Sequence, residues 1–512
     1  MDPGDGRPRK QRWKLLGAFK SAIKSSSSNT KTSRMATSGP TPARSTIQSG
    51  AVPDKPRRLY SIHDAVRDRN IQQIREILKA HPCDIYLTDD QGMTPLTLSV
   101  LLGSLTVAKF LYDSGASLLP EDNNDESLLC LAVAQKNIPM ITWLAALRPP
   151  GIDRSEFLDA LDLVGNSALH YSVGRNLLEI TRILLVNGAD PNVQARHKPD
   201  KPSPGTDFVD GGTPLLYAAG APKDISSQDT IAMVKLLMRH GAATNIPERI
   251  NGTFPLHHAM DRNDPALIDA IVDGPHDPSL RAPVDVGIIG NQDKHMQGTT
   301  ALMHAAALGK RRAVKHLILR GADPNRVNSF GETCLHWAAG GHDEPGPDAD
   351  TKRNERLGPP MVRMLVLGTD VGINDDEDDN GNKNNDTDDN NNIIIDDVVE
   401  DNTPTPRWAT CNINATTNLG STPLHAAAWL GRLNTAKTLL KLGADPFIVA
   451  EGIHIETVHD VRGTPVEYAR LKGHFEVAEV IEGWERELKK KRKREREERE
   501  EKAAEEEKGS GS

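Results

Sequence analysis

The chain has 512 residues, 37% hydrophobic, 4% aromatic and 26% charged, with a formal net charge of −9. That length allows either about three globular domains or one long array, and the low aromatic share argues against one large aromatic core. Cys83, Cys130, Cys334 and Cys411 are scattered without a CxxC or a paired framework, which excludes a spacing-based zinc motif and points to a reducing compartment.

In chain order, residues 1–57 read as a basic, Ser/Pro-rich, disordered tail; residues 1–58 carry 13 Lys and Arg against 3 Asp and Glu. No apolar stretch there suits a secretory signal, and nowhere does the chain approach the ~18 apolar residues that span a bilayer. Within the tail, residues 12–24 place Trp13, Leu16, Phe19 and Ile23 near one helical face, with Lys14, Lys20 and Lys24 around it. Such a basic amphipathic segment suits an anionic membrane surface or the groove of a partner such as calmodulin, unless it is simply part of the tail.

From residue 58 a pattern recurs. It is clearest as GSTPLHAAAWLGRLNTAKTLLKLGADP from Gly420, with other full copies from Gly92, Gly165 and Gly298 and shorter or degenerate ones between. Ten copies align on His63, Thr97, Cys130, His170, Leu216, His257, Met303, His336, His425 and Glu467. Their spacings of 34, 33, 40, 46, 41, 46, 33, 89 and 42 fit a base period of 33 with insertions. In the clearest copy Thr422 is placed as an N-cap whose hydroxyl accepts an orphan backbone N–H, and Pro423 stands at the first helical position. Leu424, Ala427 and Ala428 form the apolar stripe of a short helix that Gly431 ends; a second amphipathic helix follows up to Gly443, and GADP opens a turn. Neither helix reaches the ~12–15 residues at which an isolated helix is even marginal in water. The units must therefore stack.

This pattern resembles the ankyrin repeat over about residues 58–483, apart from the insertions. The resemblance implies an all-α repeat solenoid of helix-turn-helix units with hairpin fingers, repeats one to eight over 58–374 and nine and ten over 419–483. The histidines at the fourth place of Thr-Pro-Leu-His are expected to hydrogen-bond neighbouring repeat backbone rather than hold a metal, since they stand one per repeat. The next position reads Tyr171, Tyr217, His258, His304, Trp337 and Tyr468 in six of the later repeats and is expected on the inner, concave face. These side chains either contact a partner or pack between repeats; Trp429 is expected to be the more exposed candidate. No nucleotide-binding loop, hydrolase elbow, metalloprotease or kinase signature occurs, so neither an enzyme nor a bound cofactor, metal or small-molecule substrate is expected.

Residues 375–401 hold 12 acids and one Lys, and 375–418 reads as an acidic, Asn/Asp-rich, disordered insertion without the ligand register of a calcium loop. Residues 484–512 read as a charged single helix with a flexible end; over 484–508 they carry 11 basic and 10 acidic residues but lack the apolar seam of a coiled coil. Within it Lys489, Lys490, Lys491, Arg492, Lys493 and Arg494 resemble a nuclear-import patch, and the following glutamates disfavour nucleic acid as a partner. The reading is a non-catalytic scaffold or adaptor, cytoplasmic, nuclear or both, that binds a protein on the concave face and finger tips. The alternatives are a membrane- or calmodulin-associated regulator acting through residues 12–24 and a nuclear transcription cofactor.

Overall fold

The computed structural model describes residues 61–118, 127–148, 153–162, 164–196, 211–222, 224–275, 277–289, 297–340, 349–368, 409–452 and 462–509. The basic tail, its segment 12–24 and the acidic stretch 375–401 lie outside these residues. The chain divides into two compact units, residues 1–168 with 196–209, and residues 169–195 with 210–512.

The first unit carries three helix pairs: α1 (Ile62–Arg67) with α2 (Ile71–Ala80), α3 (Pro95–Leu101) with α4 (Leu105–Asp113), and α5 (Leu128–Ala134) with α6 (Ile138–Ala146). A short α7 (Arg154–Leu158) follows. Within this unit α3 packs on both α1 and α5, so the first helices form a row.

The second unit runs from α8 (Ala168–Gly174) and α9 (Leu178–Val186) through α10 (Pro214–Ala219), α11 (Ser227–Arg239), α12 (Pro255–Ala259) and α13 (Pro265–Val272). It continues with α14 (Ala301–Ala307), α15 (Arg311–Leu319), α16 (Cys334–Gly340) and α17 (Ala349–Leu367). It closes with α18 (Pro423–Trp429), α19 (Leu433–Lys441), α20 (Pro465–Leu471) and α21 (Phe475–Gly509). The first helices α10, α12, α14, α16, α18 and α20 pack in succession; the second helices do so in the runs α9–α11–α13–α15 and α17–α19–α21. Among the described residues there is no extended strand, only the isolated antiparallel bridges Gly287–Thr300 and Ala450–Gly463.

The leucine two places after each cap carries the core. Leu96, Leu129, Leu169, Leu215, Leu256, Leu302, Leu335 and Leu424 are all buried, each worth about 1.5–3 kcal/mol of apolar transfer. Alanines on the same face, such as Ala427 and Ala428, are also buried and leave no bulk to hold neighbouring helices apart. Prolines 95, 214, 255, 423 and 465 begin their helices, where the missing N–H costs nothing.

Asparagine side chains join the turns that precede successive repeats. Asn192 Nδ2 donates to the Gly241 carbonyl (2.9 Å) and its Oδ1 accepts from the Ala243 amide (2.7 Å). Asn325 does the same to the Thr410 carbonyl and the Asn412 amide, both at 2.8 Å, and Asn414 Oδ1 accepts from the Asp445 amide (2.9 Å). Residues 409–418, expected as the end of the acidic insertion, are thus bonded into the array, because Asn325, Asn412 and Asn414 hold their backbone. The charged C-terminal segment is not a separate element either. It continues the second helix of the last pair as one 35-residue helix, since nothing in Phe475–Gly509 breaks the helical pattern.

In eight of the described pairs the turn joining the two helices carries a left-handed residue. Gly103, Gly309, Gly431 and Gly473 supply it, with φ between 68° and 81°, but Arg69, Lys136, Asn176 and Asn263 occupy the same place at φ of 52–56°. The steric cost of about 1–2 kcal/mol for a side chain there exceeds the ~0.5–1 kcal/mol that glycine loses in chain entropy. Lys136→Gly is therefore expected to stabilise the chain by about 0.5–1 kcal/mol. Urea unfolding of the two proteins checks it, and a lower midpoint for the glycine variant would refute the strain.

Candidate functional site

Five histidines stand at the fourth place of the repeat, and each makes the same bond. Nε2 faces a backbone carbonyl of the next repeat: His63 to Met93 (2.9 Å), His170 to Gly212 (3.0 Å), His257 to Thr299 (3.0 Å), His336 to Ser421 (3.1 Å) and His425 to Gly463 (3.3 Å). A carbonyl only accepts, so Nε2 carries the proton. On the other side of the ring, Nδ1 accepts from the N-cap amide: from Phe254 (3.3 Å), Thr333 (3.1 Å) and Thr422 (3.1 Å). In these three the imidazole is thus a neutral bridge that caps its own helix and ties it to the next repeat.

The cap threonine takes a further bond. Thr422 Oγ1 lies 2.8 Å from His425 Nδ1, which has no proton to give, so the hydroxyl donates to the ring beside its capping-box contact with the N3 backbone. Thr94 accepts from the Thr97 amide (3.2 Å) and Thr300 from the Met303 amide (3.3 Å). In the last repeat Glu467 replaces the histidine, and its carboxylate accepts from the Thr464 amide at 2.7 Å.

Burial pushes these imidazoles far below their ordinary value. His170, His336 and His425 are lowered to about 4 by loss of solvent, against the raising effect of their carbonyl bonds. His257 is lowered to about 3, chiefly by burial, with His304 and His258 adding repulsion to its charged form. These are structural histidines, and among the described residues no group of three or more His, Cys, Asp or Glu is placed to hold a metal.

The position after the histidine behaves differently. Tyr171, Tyr217, His258, His304 and Trp337 are all half-buried, while the residues on either side of each in the helix are buried. On three of these rings, Tyr171, Tyr217 and His258, a neighbour holds one side while part of the surface stays open. Tyr217 packs edge-on against His170, with ring centroids 5.1 Å apart, and the Arg175 guanidinium lies over the Tyr171 ring at 5.4 Å. His258 Nε2 is 2.8 Å from Thr253 Oγ1, which donates to the buried Glu248 carboxylate at 2.7 Å, so His258 donates to the hydroxyl.

Trp429 and Tyr468 do not share this exposure. Trp429 is 2% exposed and Tyr468 is fully buried, and with Ala450 they form one cluster. Their rings meet edge to face at 5.7 Å, and the Lys472 ammonium covers the indole at 4.3 Å. Trp429, expected to be the more exposed, is buried because the residue after the fourth place in its own helix is Ala426. That small side chain leaves Tyr468 of the next repeat free to stack on both His425 and Trp429.

On α21, Lys489, Lys490, Lys491, Arg492, Lys493 and Arg494 are all exposed. Lys489 and Arg492 lie over the Phe447 ring at 5.1 and 5.0 Å, and Arg492 is 3.8 Å from Asp445. Lys490, Lys491 and Lys493 pair along the helix with Glu487, Glu495 and Glu497.

Family models carry the decision that the geometry suggests. The model for three ankyrin repeats matches residues 62–153 and 279–344, and the single ankyrin repeat model matches 164–196 and 419–451. The chain is an ankyrin repeat protein. It is 26% identical over 290 residues to the B-cell lymphoma 3 protein homolog of Mus musculus, covering 56% of this chain and 53% of that one. It is 26% identical over 296 residues to NF-kappa-B inhibitor delta of Mus musculus, covering 56% of this chain and 84% of the relative. The chain thus spans about half the length of the first relative. A solved ankyrin repeat domain from Acinetobacter baumannii AYE aligns at 24% identity with a TM-score of 0.34, covering 41% of this chain and 95% of that one. No described helix of this ankyrin repeat protein is long and apolar enough to cross a membrane.

The neutral bridges set a pH dependence. The unfolded chain protonates histidine near 6.5, whereas folding holds these rings unprotonated down to about 4. Their contribution is therefore fully present above 6.5 and is lost as pH falls from there toward 4, by on the order of 1 kcal/mol per pH unit for each ring. Thermal melts across that interval are expected to fall steadily on acidification; a flat melting temperature would contradict the neutral bridges.

Proposed function

We propose that this ankyrin repeat protein is an adaptor that binds a protein partner along the first-helix face of its second unit, with the adjoining finger tips. Ankyrin repeats as a family are non-catalytic interaction modules. The observation that carries the site is the run of half-buried rings Tyr171, Tyr217, His258, His304 and Trp337 at one position in five successive repeats. A packing role alone would bury them, as it buries Tyr468. Tyrosine and tryptophan carried on helices, with part of the ring open, lose little freedom on binding and dominate interface energetics. The names of two relatives, NF-kappa-B inhibitor delta and, in Gallus gallus, the nuclear factor NF-kappa-B p105 subunit, offer NF-kappa-B as the first candidate partner to test.

Proximity labelling by the full chain, beside Tyr217→Ala and Trp337→Ala variants, identifies partners; titration with each purified partner then measures affinity. Each substitution is expected to weaken a partner on this face by roughly tenfold to thirtyfold, the loss of about 1–2 kcal/mol typical of a hot spot. Unchanged affinity with an unchanged melting curve would remove this face from consideration.

A second reading rests on the exposure of Lys489–Arg494 along α21, which leaves the cluster accessible to an import receptor. Replacing the six residues by glutamine is expected to shift the protein out of the nucleus. An unaltered distribution by imaging would refute the signal. The segment 12–24, and with it the membrane or calmodulin reading, lies outside the described residues.

A further inference from the structure

Two cysteines 77 residues apart meet inside the second unit. Cys334 Sγ and Cys411 Sγ are 3.4 Å apart, in van der Waals contact, and both point at the Pro324 carbonyl at 3.2 and 3.5 Å. Cys334 is 1% and Cys411 7% exposed. The backbone on both sides is held. Cys334 begins α16, at the place where five other repeats carry proline. The Cys411 amide donates to the Leu365 carbonyl (2.9 Å), and Asn325 clamps Thr410 and Asn412 on either side of it. The sulfur contact therefore belongs to the repeat framework. Between the two positions the sequence carries the acidic stretch 375–401.

We propose that Cys334 and Cys411 form a reversible redox latch, a dithiol that closes to an intrachain disulfide when a small-molecule disulfide such as oxidised glutathione is abundant. The Cys411 thiolate, on the less buried side, attacks one sulfur of the oxidant, forming a mixed disulfide and releasing one glutathione thiolate. The Cys334 thiolate then attacks the Cys411 sulfur of that mixed disulfide and expels the second glutathione. The protein loses two protons and two electrons, and the oxidant takes them up as two thiols. The sulfurs need to approach by only about 1.4 Å to reach bonding distance, and the bonds that hold the backbone leave them facing each other. The hydrogen bond with Cys411 and burial hold the Cys334 thiol well above its ordinary value, so the pair stays reduced at a low oxidant ratio. In a reducing compartment a contact of this kind acts as a sensor rather than as a permanent staple. Closing it joins the start of α16, the helix that also bears Trp337, covalently to the segment entering the ninth repeat, and makes one loop of everything between. The latch stands independently of whether that face binds a partner.

The test equilibrates the reduced full-length chain in glutathione buffers of increasing oxidised fraction, traps free thiols by alkylation and maps disulfide-linked peptides by mass spectrometry. In the folded chain the Cys334–Cys411 peptide pair is expected to dominate, with a mass lower by two hydrogens and faster migration on a non-reducing gel. In concentrated urea, pairing follows loop length instead, and Cys83–Cys130, only 47 residues apart, should overtake it. Cys83→Ser should leave the folded-state product intact, whereas Cys334→Ser and Cys411→Ser should each abolish it. No intrachain disulfide in the folded chain, mixed disulfides confined to the exposed Cys83, or the same product distribution folded and in urea would each overturn the latch.

Discussion

The stack depends on an uncharged imidazole. His257, His336 and His425 each cap the helix that carries them and reach across to the next repeat, so one side chain serves local structure and tertiary contact together. The arrangement works only with one proton on the ring, because one face meets a carbonyl and the other an amide N–H. A second proton would turn the capping acceptor into a donor facing a donor. Burial enforces the neutral form by withholding the water that a charge would need. Where the chain departs from histidine it keeps part of the device: Glu467 caps its own helix and reaches no further, and Met303 and Thr97 leave the capping to the threonine hydroxyl.

Contacts of this kind run between neighbouring repeats, which explains why the spacing can stretch from 33 to 89 residues without loss of the pattern. Each unit needs only the face of the one before and the one after it. An insertion between finger and helix lengthens a loop at a cost that grows with the logarithm of its size. The asparagine ties between successive turns restore registration after each insertion. Asn325 bonds to Thr410 and Asn412 across the longest of them, with the same two-sided geometry that Asn192 uses across a shorter one.

Much of this was legible in the residues. The periodic Thr-Pro-Leu-His blocks, the N1 prolines and the buried leucines and alanines imply paired short helices that must stack, and the structure has them. The histidines were legible as backbone-bonded because they stand singly, one to a repeat. What failed to show was whatever depends on a neighbour distant in sequence. Trp429 looked exposed from its place near the end of a helix, but its burial is decided by Ala426 beneath it and Tyr468 one repeat away. The end of the acidic insertion looked like more of the same composition, yet three asparagines draw residues 409–418 into the array. Cys334 and Cys411 give no signal at all in one dimension, since 77 residues separate them.

The unbroken α21 has a mechanical consequence. At 1.5 Å per residue its 35 residues form a rod about 52 Å long, whose first turns are packed against α19 and α20 and whose residues 489–500 are exposed. A rod has no joint at which to dissipate a pull. Force or torque applied to the charged end is delivered to the last repeat, shared with the stacking of Lys489 and Arg492 on Phe447 and the Arg492–Asp445 pair. The end of the array is thus built as a lever with its fulcrum at Phe447, and whatever grips the basic stretch also grips the fold.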